Sequence, residues 1–246
     1  VSSTERDSLL YASGENLYIS GRCDRASEMF RNYLKEFGNG SFRLNAMFYL
    51  AECSKASGNK DEALALYRDV IKIPNNQFME SALIAASAIL YEKENYTEAL
   101  VYYEELERIT EIPENVLISL KGQLRSAYLS GDAQKTIAAA SRISGKPGIP
   151  EEFIREANYM RAKAHFSLGE DDEALDSFRK TASEVTSAEG AESKYMVAEL
   201  LNKKGRTEEA EKVISEFIGK NTPHQFWMAK VFLLLADISI KKGDNL

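Results

Sequence analysis

For metal binding or nucleophilic chemistry the 246-residue chain offers two histidines, His165 and His224, and two cysteines, Cys23 and Cys53. A metal site needs several such groups at ligand spacing. A nucleophile needs a base within hydrogen-bond reach. Neither pattern occurs: the histidines stand far apart in sequence, and neither has a cysteine or acidic partner at metal-ligand spacing. His165 falls in a helix slot usually held by a large core residue, which predicts a packed, hydrogen-bonded ring. His224 follows Pro223 at a helix start, which predicts a surface position. The acidic clusters "GEDDEA" and "RTEEAE" stand at helix starts, where carboxylates complement the helix dipole. "SGKPGIP", at 144–150, has glycines and a lysine but lacks the preceding strand and the Gly-Lys-Ser/Thr order of a phosphate loop. No catalytic, metal or cofactor constellation emerges, and the chain reads as non-enzymatic.

Net charge is −7, which disfavours nucleic acid and anionic membrane as partners. The apolar run "VFLLLADISI" is too short to span a bilayer, so direct membrane insertion is not expected. Two cysteines do not make a disulfide framework. They fit a reduced cytosolic chain, and equally a periplasmic one with inert buried thiols; whether they lie close together stays open. The chain opens on Val1 rather than Met, so compartment is not legible at that end.

The elements that would position any site repeat along the chain. A turn slot recurs at Gly21, Gly58, Glu94, Gly131, Gly169, Gly205 and Gly243, in steps of 37, 36, 37, 38, 36 and 38 residues. Five residues on come Ala26, Ala63, Ala99, Thr136, Ala174 and Ala210. Four further stand Phe30, Tyr67, Tyr103, Ala140, Phe178 and Ile214. Glycine takes the left-handed conformation that ends one helix and starts the next. A small residue one turn later lets two helices approach, and the large one at i+4 shares its face. Thirteen helices are predicted, at 4–20, 22–37, 41–57, 59–72, 76–93, 95–110, 113–130, 132–144, 150–168, 170–186, 188–204, 206–219 and 223–242.

This pattern resembles the tetratricopeptide repeat: a small first-helix residue (Gly14, Ala51, Ser87, Ala162, Ala198, Ala236), the turn, then alanine and an aromatic in the second helix. The resemblance covers nearly the whole chain. It implies an all-α fold, a right-handed α-α superhelix of about six helix-turn-helix repeats plus a final helix, over 1–246 with no separate catalytic domain. Repeat four is the weakest, with Leu124, Thr136 and Ala140 off the pattern. It runs into 144–150, read either as a longer loop in a continuous solenoid or as a hinge between 1–144 and 150–246. "KKGDNL" repeats the turn signal and stops, so the final helix is expected either to cap the array or to continue into a longer protein, with self-association through its apolar flank. The first two repeats, "ASEMFRNYLKEFGNGSFRLNAMFYLAECSKASGNKDEALALYRDVI", resemble those of periplasmic Tol-Pal-associated and outer-membrane-assembly members. They keep "FGNGS" and "AMFYLAEC" where those families have a proline and a tryptophan. That likeness implies a bacterial cell envelope; a cytoplasmic location is the alternative.

The resemblance also implies a partner site. In this family the first helices line a concave groove, at the second, fifth, ninth, twelfth and thirteenth repeat positions. Carried onto this sequence, they are Tyr11 and Tyr18, Phe48, Tyr91, Lys121, Arg125 and Tyr128, Tyr159, Lys163 and Phe166, and Tyr195. Rings at a wet face suit an interface; the alternative is that some pack between neighbouring first helices. The basic Lys121, Arg125 and Lys163 are candidates to receive a carboxylate, although they lack the asparagine of the carboxylate clamp that binds chaperone tails. The implied function is a scaffold for a protein or peptide partner, the alternative being an assembly segment of a longer protein.

Overall fold

The computed structural model describes residues 3–220 and 222–243. Its helices are α1 Ser3–Ile19, α2 Cys23–Glu36, α3 Arg43–Ala56, α4 Lys60–Ile71, α5 Met79–Glu92, α6 Tyr96–Ile109, α7 Pro113–Leu129, α8 Ala133–Gly145, α9 Glu151–Ser167, α10 Asp171–Thr181, α11 Ala188–Lys203, α12 Thr207–Ile218 and α13 Gln225–Lys242. No strand occurs among the described residues. The chain divides into two compact units within α7, between Ser126 and Ala127. In each, consecutive helices pack on one another in sequence order. The segment after Gly145 is a loop joining α8 to α9, both in the second unit.

The turn slot adopts the predicted backbone. Gly21, Gly58, Gly131, Gly169, Gly205 and Gly243 have φ between +74° and +84°. After each of the first five turns the next amide reaches back five residues, as in Arg22 N–H to Leu17 carbonyl at 2.9 Å and Glu170 N–H to His165 carbonyl at 3.0 Å. This is the Schellman closure. Glu94 is the exception in residue type but not in geometry: it holds φ +58°, and its amide successor Asn95 reaches the Leu90 carbonyl at 2.9 Å. A side chain there carries the left-handed penalty that glycine avoids, about 1 kcal/mol. Glu94→Gly is therefore expected to raise unfolding stability by about 1 kcal/mol, read as a higher urea midpoint at unchanged m. An unchanged or lower midpoint would reject the assignment.

The packing slots behave as the spacing requires. Ala26, Ala63, Ala99, Ala174 and Ala210 are fully buried, as are Phe30, Tyr67 and Phe178. Thr136 fits its alanine slot because its hydroxyl donates to the Asp132 carbonyl at 2.8 Å. Asn59, Asn95 and Asp132 cap the helices that follow the turns, accepting from the backbone N–H of Glu62, Glu98 and Lys135.

Two expectations are corrected. Helix α10 stops at Thr181, not 186. Residues 182–187 turn instead, burying Ala182 and Val185 and bringing the Glu184 carbonyl against Gly190. Second, Cys23 and Cys53 are joined by a disulfide, with Cα atoms 5.1 Å apart across 30 residues, so they are not the free thiols expected from their number. Packing of α2 on α3 brings Cys23, the first residue of its helix, onto Cys53 in the last turn of the next.

Candidate functional site

Among the described residues no group of three His, Cys, Asp or Glu gathers as for a metal, and no helix is long and apolar enough to cross a membrane. The acidic clusters make ion pairs: Asp171 and Asp172 meet Lys203 and Lys204 of the following repeat at 2.5 and 2.8 Å, and Glu209 meets Arg206 at 2.7 Å. His165 is half-buried and shares a hydrogen bond of 2.6 Å with Glu170 across its turn. His224, also half-buried, reaches the Thr186 carbonyl at 2.9 Å.

What remains is the first-helix face. In the first unit, Tyr11 is only 4% exposed. Its ring stacks on Phe42 at 4.4 Å, and its hydroxyl donates to Glu15 at 2.7 Å. Phe48 is buried and stacks on Phe78 at 4.2 Å. In the second unit Tyr195 is buried, 5.6 Å from Trp227, with its hydroxyl on Glu199 at 2.9 Å. These three rings are core, not groove lining. The cause repeats: each of these three fifth-position rings is covered by an aromatic at the start of the next first helix. Phe42 and Phe78 are the N-caps of α3 and α5, and Trp227 stands in the first turn of α13. An aromatic about thirty residues downstream is the signal that marks a covered ring, and it is readable in the sequence.

The other positions stay partly open. In the first unit Tyr18 lies 4.6 Å from Tyr49, Tyr91 is edge-on to Tyr96 at 5.3 Å, and Lys121 and Arg125 are half-buried. Tyr128, Tyr159 and Lys163 of the second unit are half-buried, and Phe166 is 40% exposed. Glu192 draws two of these together: it accepts from the Tyr159 hydroxyl at 2.7 Å and from Lys163 Nζ at 2.5 Å. Burial first, then the Glu192 carboxylate, hold the Tyr159 hydroxyl far above its ordinary pKa, so it remains a neutral donor. Lys163 is already ion-paired with Glu192, which a partner carboxylate would have to displace. The residues that motif transfer missed are Glu15, Tyr49 and Glu52 in the first unit and Glu192 and Lys230 in the second; Lys230 lies 5.9 Å over the Tyr195 ring.

The family profile described as Tetratricopeptide repeat matches residues 11–78 in the first unit and 159–225 in the second, more than half of the chain. The chain is a tetratricopeptide-repeat protein. Solved structures agree on the fold of this tetratricopeptide-repeat chain. A tetratricopeptide repeat protein from Parabacteroides merdae is 16% identical, with 98% of this chain and 88% of that one covered at a TM-score of 0.50. MamA is 15% identical, covering 83% and 98% at 0.54. YrrB, described as a TPR protein with an unusual peptide-binding site, is 17% identical, covering 78% and 92% at 0.52. No curated protein matches the sequence. Tetratricopeptide repeats generally mediate protein or peptide binding, on a scaffold that is typically non-enzymatic.

Proposed function

We propose that this tetratricopeptide-repeat protein is a non-enzymatic scaffold that binds a protein or peptide partner on the first-helix faces of its repeats. The observation that carries the reading is the aromatic surface left open there. Phe166 is 40% exposed on the α9 face that also bears Tyr159 and Lys163, and Tyr18, Tyr91 and Tyr128 are only half-buried. Tyrosine and phenylalanine at a wet face supply contact area at low entropy cost. Lys121 and Arg125 add positive charge in the first unit, whereas Lys163 in the second is ion-paired with Glu192. The peptide-binding site named for YrrB supports the same use of the fold. The Cys23–Cys53 bond supports an oxidising compartment, with the bacterial cell envelope the favoured one.

The partner is to be isolated on the immobilised chain, identified by mass spectrometry and titrated. A groove contact of this kind is expected at about micromolar Kd. Tyr159→Ala with Phe166→Ala should weaken it by about tenfold or more while the fold is retained. Equal affinity in the folded variant would move the interaction off this face.

A second reading, assembly through α13, is favoured by its exposed side chains: Phe226, Phe232, Leu233 and Ile240 are each at least half exposed. Several large apolar side chains exposed along one helix suit an interface. The chain should then associate with rising concentration in sedimentation, and Phe232→Glu with Leu233→Glu should abolish it. A monomer at all concentrations would remove self-association from consideration.

A further inference from the structure

The first-helix face of the first unit carries a carboxylate whose counter-charge is missing, and the neighbouring repeat shows what belongs there. Glu15 and Glu52 occupy the same repeat position, 37 residues apart. Each accepts a tyrosine hydroxyl, Glu15 from Tyr11 at 2.7 Å and Glu52 from Tyr67. Glu52 also holds a cation: Lys55 Nζ donates to both its oxygens at 2.9 and 3.0 Å and lies 5.7 Å from the Tyr67 ring centroid. Three residues past Glu15 stands Tyr18 rather than lysine, and among the described residues no cation reaches Glu15.

On the same face stand two half-buried tyrosines. Tyr18 and Tyr49 have ring centroids 4.6 Å apart; Tyr49 packs also on Phe30, Phe48 and Phe78, and among the described residues neither hydroxyl makes a hydrogen bond. Burial first, then Glu52 for Tyr18 and Glu15 for Tyr49, raise the pKa of both hydroxyls. The rings thus stay neutral, and both carboxylates lie within electrostatic reach of the pair. A π face, a hydroxyl acceptor and a carboxylate without a counter-ion are complementary to an ammonium or guanidinium group. Ile19, 74% exposed at the end of the same helix, offers apolar surface to the methylene stem of such a side chain.

We propose that Glu15, Tyr18 and Tyr49 seat a lysine or arginine side chain presented by a partner peptide, which would pair with Glu15 as Lys55 pairs with Glu52. The inference rests on the scaffold reading and names the chemistry of its partner at one subsite. The whole chain is titrated at low salt with Ac-Leu-Lys-Leu-NH2 and Ac-Leu-Gln-Leu-NH2, followed by amide NMR shifts. The lysine peptide should bind about tenfold more tightly, the sum of an exposed cation–π contact and a surface ion pair. Its shifts should fall on residues 11–19 and 45–55. Glu15→Gln should bring the two peptides to parity without changing the melting temperature. Tyr18→Leu should reduce the preference and Tyr18→Phe should keep it, which separates the ring from a merely structural role. A lysine peptide that binds Glu15→Gln as tightly as the parent, or that shifts other residues, overturns this subsite and leaves the scaffold reading standing. So does a titration in which neither peptide shifts any resonance. The scaffold reading itself falls only if the isolated partner ignores the first-helix-face variants.

Discussion

Removing the Cys23–Cys53 bond, by reduction or by the double change Cys23→Ser with Cys53→Ala, is expected to lower stability by about 3 kcal/mol. The bond closes a loop of 30 residues, and the loss of loop-closure entropy from the unfolded chain has about that size. Alanine suits position 53, which is 1% exposed in the core of Phe30, Tyr33 and Leu50, where a serine hydroxyl would go unpaired. In a repeat fold energy is mostly nearest-neighbour. Hydrogen exchange should therefore rise chiefly in α1 to α3, with α9 to α13 unaffected. Reductant should shift the melt of the parent and leave that of the double variant unchanged. Two titratable thiols in the native, unreduced chain would sink the prediction, as would coincident melts of parent and variant.

Gly190→Ala should cost about 3 kcal/mol, at the upper end of small-to-large changes in packed sites. A methyl at this position would overlap the carbonyl of Glu184. That atom belongs to the backbone and cannot rotate aside. Either the first turn of α11 or the 182–187 turn must move, and both are tied down. Gly190 N–H donates to Ser187 Oγ at 3.0 Å, and the buried Thr181 hydroxyl donates to Ser193 at 2.6 Å. Gly145 supplies the control: it ends α8 with nothing within 4 Å of an added methyl, so Gly145→Ala should be neutral or stabilising by about 0.5 kcal/mol. Chemical denaturation of the two variants side by side decides the matter, and equal midpoints would show that the 182–187 turn does not press on α11.

The helices, their order and the packing register are legible in the residues alone, because those depend on local rules. A left-handed turn residue every 36 to 38 positions ends each first helix, and alanine with an aromatic four residues on defines one face whatever lies opposite. Even Glu94, with the wrong side chain for its turn, was placed by the period alone. The end of α10 was not legible, since it depends on a carbonyl at Glu184 passing over Gly190 rather than on any helix breaker in "KTASEVTSAEG". The pairing of Cys23 with Cys53 likewise follows from how α2 lies on α3, a geometry that a spacing of 30 residues does not encode. The same holds at the binding face. Tyr11 and Tyr18 stand on one helix at positions the repeat treats alike, yet Tyr11 is sealed by Phe42 while Tyr18 stays half open beside Tyr49. Exposure at a repeat position is decided by the residue that the next repeat lays over it. That is set by the small rotation and translation between neighbours, which only the packed tertiary structure specifies.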